Sequence, residues 1–302
     1  MKKSLILAAL LSLFSVVASA DCLDSGRWNG EEVGSAEIVG SEDFLYLAHQ
    51  EVLRLSGSAA ETRRRTFLRQ SVSKVVSLGL ENVAEVTRGL RAGNAQPLRD
   101  ALSSIEMTAK SNEILSQLYW VHGCPIEALN RLEQGLESRQ RIASWEYALP
   151  LAVGDADLLD TLIVLDSGSD YFEERTNLLI ALLRGSEDAS KSLAAFRRTL
   201  VETAKETSEG FAKDLYGVFM ASQYLAGEDL HTDIVLNDLH RFSDIQALSA
   251  MAAIPIWLSV VGACDETMWF SELLLPDKSI DTIFARNDVE AATLRCLSLQ
   301  RQ

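Results

Sequence analysis

Four times along the chain an apolar helical period ends at a glycine and restarts after a short acidic or small-residue break. The stretches are LRAGNAQPLRDAL from Leu90, LAVGDADLLDTLIVL from Leu151, LLRGSEDASKSLAAF from Leu182 and YLAGEDLHTDIVL from Tyr224. Each has the chemistry of a helix closed by a left-handed glycine and followed by a capping residue for the next helix, the tight joint of a helical hairpin. Such joints stack helix on helix. The rest of the chain agrees, because period-two alternation bounded by hairpin turns is absent. Only 5 prolines occur, and two of them, Pro97 and Pro125, stand where a first helical turn tolerates them.

Amphipathic periodicity predicts helices over 42–55, capped by Ser41, and over 60–78, 80–91, 97–121, 125–140, 144–153 and 155–166. Further helices are expected over 170–184, 187–205, 208–226, 231–242, 244–262, 267–275, 279–286 and 288–299. The joint glycines Gly93, Gly154, Gly185 and Gly227 are separated by 61, 31 and 42 residues. Over residues 80–245 this irregular spacing resembles the architecture of tetratricopeptide-type and HEAT-type α-solenoids, although no consensus signature of those families is complete. The expected fold is therefore all-α, with stacked helical hairpins forming either an irregular α-solenoid or a compact multi-helix bundle. The most apolar internal stretch, AMAAIPIWLSVVGA at 250–263, is 14 residues long and interrupted by Pro255. That is short of the roughly 20 residues of a membrane span, so a buried central helix is expected there.

The chain opens MKKSLILAALLSLFSVVASA, with a cationic Lys2-Lys3 pair, an apolar core and a small-residue exit at Ala18-Ser19-Ala20. This is the pattern of a cleaved secretory signal over 1–20. Asp21 stands where a lipoprotein signal carries a small residue before its cysteine, which argues against lipidation of Cys22. The expected compartment is the periplasm, or the exterior. Residues 21–40, with Gly26, Gly30, Gly34 and Gly40, read as an irregular segment, and 41–302 as one all-helical, repeat-containing domain. The four cysteines, Cys22, Cys124, Cys264 and Cys296, are an even set in an oxidising compartment and point to two disulfides. Of the three connectivities, Cys264–Cys296 with Cys22–Cys124 is expected, because Cys264 and Cys296 end neighbouring helices.

With residues 1–20 removed, 26 Lys and Arg face 43 Asp and Glu, a formal charge of −17 that disfavours nucleic acid as a partner. The balance is uneven: residues 54–99 carry +6, including Arg63, Arg64, Arg65 and Arg69. Such a block suits either an anionic partner or an ion-paired, solvated helix face.

No catalytic motif of the Gly-x-Ser-x-Gly, His-Glu-x-x-His, phosphate-loop or dinucleotide type occurs. His231 and His240 are nine positions apart and out of phase on a helix, so no metal set is expected, and no cofactor. Asp155, Asp157 and Asp160 miss the calcium-loop pattern, and capping explains Asp155. Adjacent carboxylates such as Glu173-Glu174 and Asp265-Glu266 leave open a helical hydrolase or lyase acting on envelope polysaccharide. Stacked helical hairpins expose a long concave face, so the first expectation, by architectural analogy, is a protein-binding or scaffolding module whose partner is a periplasmic or envelope protein. An anion-binding accessory protein using the 54–99 block is the third alternative.

Overall fold

At all four joints the glycine takes a positive φ, 81° at Gly93, 76° at Gly154, 61° at Gly185 and 69° at Gly227, and the helix ends where the sequence breaks. The computed structural model describes residues 41–76, 80–103, 109–136, 144–165, 170–206, 212–283 and 285–301. The expected signal at 1–20, the segment 21–40 and Cys22 lie outside the described residues. Within them the chain is all-α. The first eight helices are α1 (Ser41–Ser56), α2 (Ser58–Val76), α3 (Val83–Ala92), α4 (Gln96–Ser103), α5 (Ala109–Val121), α6 (Pro125–Gly135), α7 (Ala148–Val153) and α8 (Ala156–Leu165). They are followed by α9 (Asp170–Leu183), α10 (Ala189–Glu206), α11 (Leu215–Leu225), α12 (Thr232–Leu239), α13 (Asp244–Val261), α14 (Cys264–Leu274) and α15 (Arg286–Arg301).

Local chemistry sets the helix starts. Asp155 Oδ1 accepts the backbone N–H of Leu158 at 2.9 Å and of Asp157 at 3.1 Å, so α8 begins on the expected cap. Ser243 and Gln246 form a reciprocal capping box that starts α13. Helix α14 begins at Cys264, three residues before the expected start, because Asp265 and Glu266 stabilise a helical first turn. Of the helix expected over 97–121, the described parts are α4 and α5, and residues 104–108 lie outside the described residues. Around 279–286 the expected helix is instead a 3-10 turn, Lys278–Asp281. Asp277 Oδ1 caps the N–H of Ser279 at 2.8 Å, and Arg286 donates to the carbonyls of Leu275 and Asp277 at 2.7 and 2.8 Å. These bonds fold the segment back before a second turn can form.

The stretch expected to be buried is the middle of α13. Every residue from Ala252 to Val260 is buried, packed between α9, α11, α14 and α15. By length and apolarity α13 meets the size of a membrane span, but here it is the core helix of one continuous hydrophobic cluster. Close approach of α11 to α13 depends on Gly217: a Cβ there would lie 2.5 Å from Trp257 Cδ1 and 3.1 Å from the Ala253 carbonyl. Only a residue without a side chain fits.

An open solenoid would leave each hairpin touching only its neighbours. Here the last helix, α15, packs on α1, α7, α13 and α14, so the chain closes on itself. Arg63 of α2 reaches across to Glu290 and Asn287 of α15. Cys296 of α15 is bonded to Cys264 at the start of α14, with Cα atoms 5.2 Å apart, as the sequence led one to expect. Of the two architectures consistent with the sequence, the compact multi-helix arrangement is the one formed.

Replacing Gly217 by Ala should destabilise the fold by about 1 to 3 kcal/mol, the usual cost of overpacking a tight core. Urea unfolding checks this: the midpoint should fall with an unchanged slope. A variant as stable as the parent would mean that α11 and α13 are not in the described contact.

Candidate functional site

The basic block singled out in the sequence is largely consumed inside the fold. Arg63 is turned inward to Glu290, a carboxylate that is itself 2% exposed. Arg64 and Arg65 both bind Glu61, at 2.6 and 2.5 Å, Arg54 binds Glu51 at 2.6 Å, and Arg99 binds Asp100 at 3.0 Å. Arg69 is exposed one turn further along α2. Arg63, Arg64, Arg65 and Arg69 therefore do not converge on one surface point, and three of the four already hold carboxylates.

The other sequence candidates are also dispersed. His231 and His240 sit exposed at opposite ends of α12, and among the described residues no group of three or more His, Cys, Asp and Glu side chains could hold a metal ion. Glu173 and Glu174 are exposed neighbours on α9 beside a groove of about 580 Å³ shared with α10. Both line that groove, and among the described residues no other charged side chain joins them in its lining. Cys124 is also disulfide-bonded, whereas its expected partner Cys22 lies outside the described residues.

Two buried polar clusters escaped the sequence. In the first, Asp214, at the N-terminus of α11, accepts from Trp257 Nε1 at 2.7 Å, from Arg175 Nε at 3.2 Å and from the Tyr171 hydroxyl. Arg175 extends the cluster to Asp288 of α15 at 3.5 Å. Burial works against the charge of Asp214, but the Arg175 and Lys213 cations and the two hydrogen bonds outweigh it and hold its carboxyl below the usual range. With every charge partnered, this junction locks α9, α11, α13 and α15 together. In the second cluster, His49 is fully buried, 4.4 Å from the ring of Trp120, and neither imidazole nitrogen has a hydrogen-bond partner among the described residues. Burial, helped by the charge of Arg63, lowers its pKa to about 3; burial lowers that of His122 to about 4.

The surface with the chemistry of a recognition site is a trough along α10, α11 and α12. On α10 the rows Leu193, Arg197, Val201 and Ala194, Arg198, Glu202 repeat every four residues and so share one side of the helix. They face Ser222, Leu225 and Ala226 at the far end of α11, across a groove of about 860 Å³. Arg197 and Val201 also line the adjoining groove of about 580 Å³, with Phe219 of α11 and Ile234 of α12. The two share a wall and form one trough. Its floor is apolar, and its ends expose Leu225 (43%) and Ile234 (55%) to solvent. The Arg197 guanidinium lies 4.7 Å over the ring of Phe219, in cation–π geometry. On the other side of α12 a second groove of about 700 Å³ carries Leu236, Ile245, Met251 and Leu273, with Asp244 and Asp277 among its polar lining.

No protein-family model, curated protein or solved structure matches the chain. Sequence reading missed the trough because its members come from three helices. The available signal was Arg197-Arg198 set in the apolar period of α10, in a half of the chain that is otherwise strongly acidic.

The two buried histidines make a signed prediction about pH. Above about pH 6.5 neither the folded nor the unfolded chain charges them; between 6.5 and 4 the unfolded chain takes up protons that the folded chain refuses. Stability should therefore fall as pH drops from 7 to 5, by about 2 kcal/mol for each histidine. Denaturant unfolding at the two pH values should show this loss, and His49→Leu should remove about half of it. An unchanged pH dependence in that variant would show that His49 is not kept neutral by the fold.

Proposed function

We propose that the chain is a protein-binding module acting outside the cytoplasm, in the periplasm or beyond, and that it holds a segment of a partner protein in the trough of α10, α11 and α12. The observation that carries this reading is the exposed apolar floor: Leu225 and Ile234 at the ends, with Val201, Leu215 and Phe219 between them. Apolar surface gathered in a groove between helices is the surface into which amphipathic segments dock. From Ser190 to Val201 the α10 wall runs about 17 Å at 1.5 Å per residue, enough for about three turns of a bound helix.

The compartment rests on the amino-terminal sequence and on the Cys264–Cys296 pair at disulfide distance, which suits an oxidising environment. A scaffold is favoured over a polysaccharide hydrolase or lyase because Glu173 and Glu174 are exposed and, among the described residues, the groove they line holds no other charged side chain. The block around Arg63 supports an anion binder less well, since its guanidinium groups are engaged internally.

Site-directed photo-crosslinking tests the reading. A benzoylphenylalanine in place of Ala194, in the trough, should give a discrete protein adduct in the native envelope, and Val201→Asp in the same chain should abolish it. The same probe in place of Ile245, in the second groove, should give none. Adducts from position 245 alone, or from neither position, would contradict the assignment.

A further inference from the structure

Resting on the trough as the binding surface, we infer that the bound segment is acidic: an amphipathic stretch with its apolar side on the floor and carboxylates at Arg197 and Arg198. The inference comes from how charge is distributed around the groove. Lys191 is bound to Asp188 at 2.8 Å and Glu202 to Lys205 at 2.7 Å. Asp238 accepts the Tyr216 hydroxyl and pairs with Arg241 at 3.2 Å. Each of these charges has an opposite beside it. Arg197 and Arg198 have no carboxylate partner among the described residues, so they are the charges the trough presents uncompensated.

Arginine suits this task. Its planar fork takes a carboxylate through two hydrogen bonds, and an arginine already stacked on an aromatic ring loses less freedom when it does so. Arg197 is stacked in this way on Phe219, and Arg198 stands exposed beside it on the adjoining row. Residues 21–302 as a whole carry a formal charge of −17, which repels an acidic segment from most other surfaces. A basic segment would meet the reverse: attraction almost everywhere and repulsion at the trough. Charge thus selects both the partner and where on the molecule it docks.

Selection from a random 16-residue peptide library on the immobilised chain 21–302, with disulfides intact, tests this. Sequences whose capture is lost with Val201→Asp are counted as trough-dependent. These should be enriched several-fold in Asp and Glu over the input, interleaved with apolar residues. In parallel, R197E/R198E should reverse the enrichment to Lys and Arg, and R197K/R198K should keep it acidic. A synthesised acidic binder should lose at least tenfold in affinity on R197E/R198E and weaken as salt rises. Circular dichroism and a thermal midpoint equal to the parent's would show that the charge-reversed chain is folded; if it is not, R198E alone takes its place. Trough-dependent sequences with no acidic bias, or an acidic bias unchanged by charge reversal, would overturn this inference and leave the trough standing. No trough-dependent sequence at all would overturn both.

Discussion

The C-terminal helix is the member on which the others close. Along α15, Asp288 meets Arg175 of α9, Glu290 meets Arg63 of α2, and Thr293 donates to Ser271 of α14 at 2.7 Å. Arg295 donates to the Ser259 carbonyl of α13 at 3.3 Å, and Cys296 is bonded to Cys264. Between these polar ties Val289, Ala292 and Leu294 are fully buried. A helix engaged on every side cannot be the open end of a stack, which is why the hairpins wrap into a closed body.

That closure determines which surfaces remain for binding. Helix α13 is held inside by α15 on one side and α11 on another, and Gly217 lets α11 approach until Trp257 reaches Asp214. With the Asp214 junction fixed, the first turn of α11 has a set position, and Phe219, one turn further on, is carried to where Arg197 can stack over it. The trough is thus a consequence of the core: its floor is the outer side of helices whose inner sides are locked around the buried Asp214 junction.

Much of this was legible in the residues. The glycine joints, the cap at Asp155, the buried stretch at 250–263 and the pairing of Cys264 with Cys296 all follow from local chemistry, and the structure forms each of them. Where the deciding partner is remote in sequence, local chemistry does not fix the structure. Nothing near residue 280 announces that Arg286 will take the carbonyls of Leu275 and Asp277, so a helix was expected where a 3-10 turn forms. The same limit explains the basic block. Whether the block around Arg63 is ion-paired or open to an anion is undecided in the sequence because Glu290 is 227 positions away, and the lack of a carboxylate partner for Arg197 and Arg198 among the described residues is likewise a property of the fold.

The trough is the proposed docking place, and hydrogen exchange locates a docked segment directly. Amide exchange of the chain 21–302 would be followed by mass spectrometry, alone and with an acidic amphipathic peptide at saturating concentration. Slower exchange should appear in 190–206, 215–226 and 232–239, the three walls of the trough, with α2 unchanged. Protection centred on 244–251 and 273–282, on 63–69, or nowhere would contradict the account.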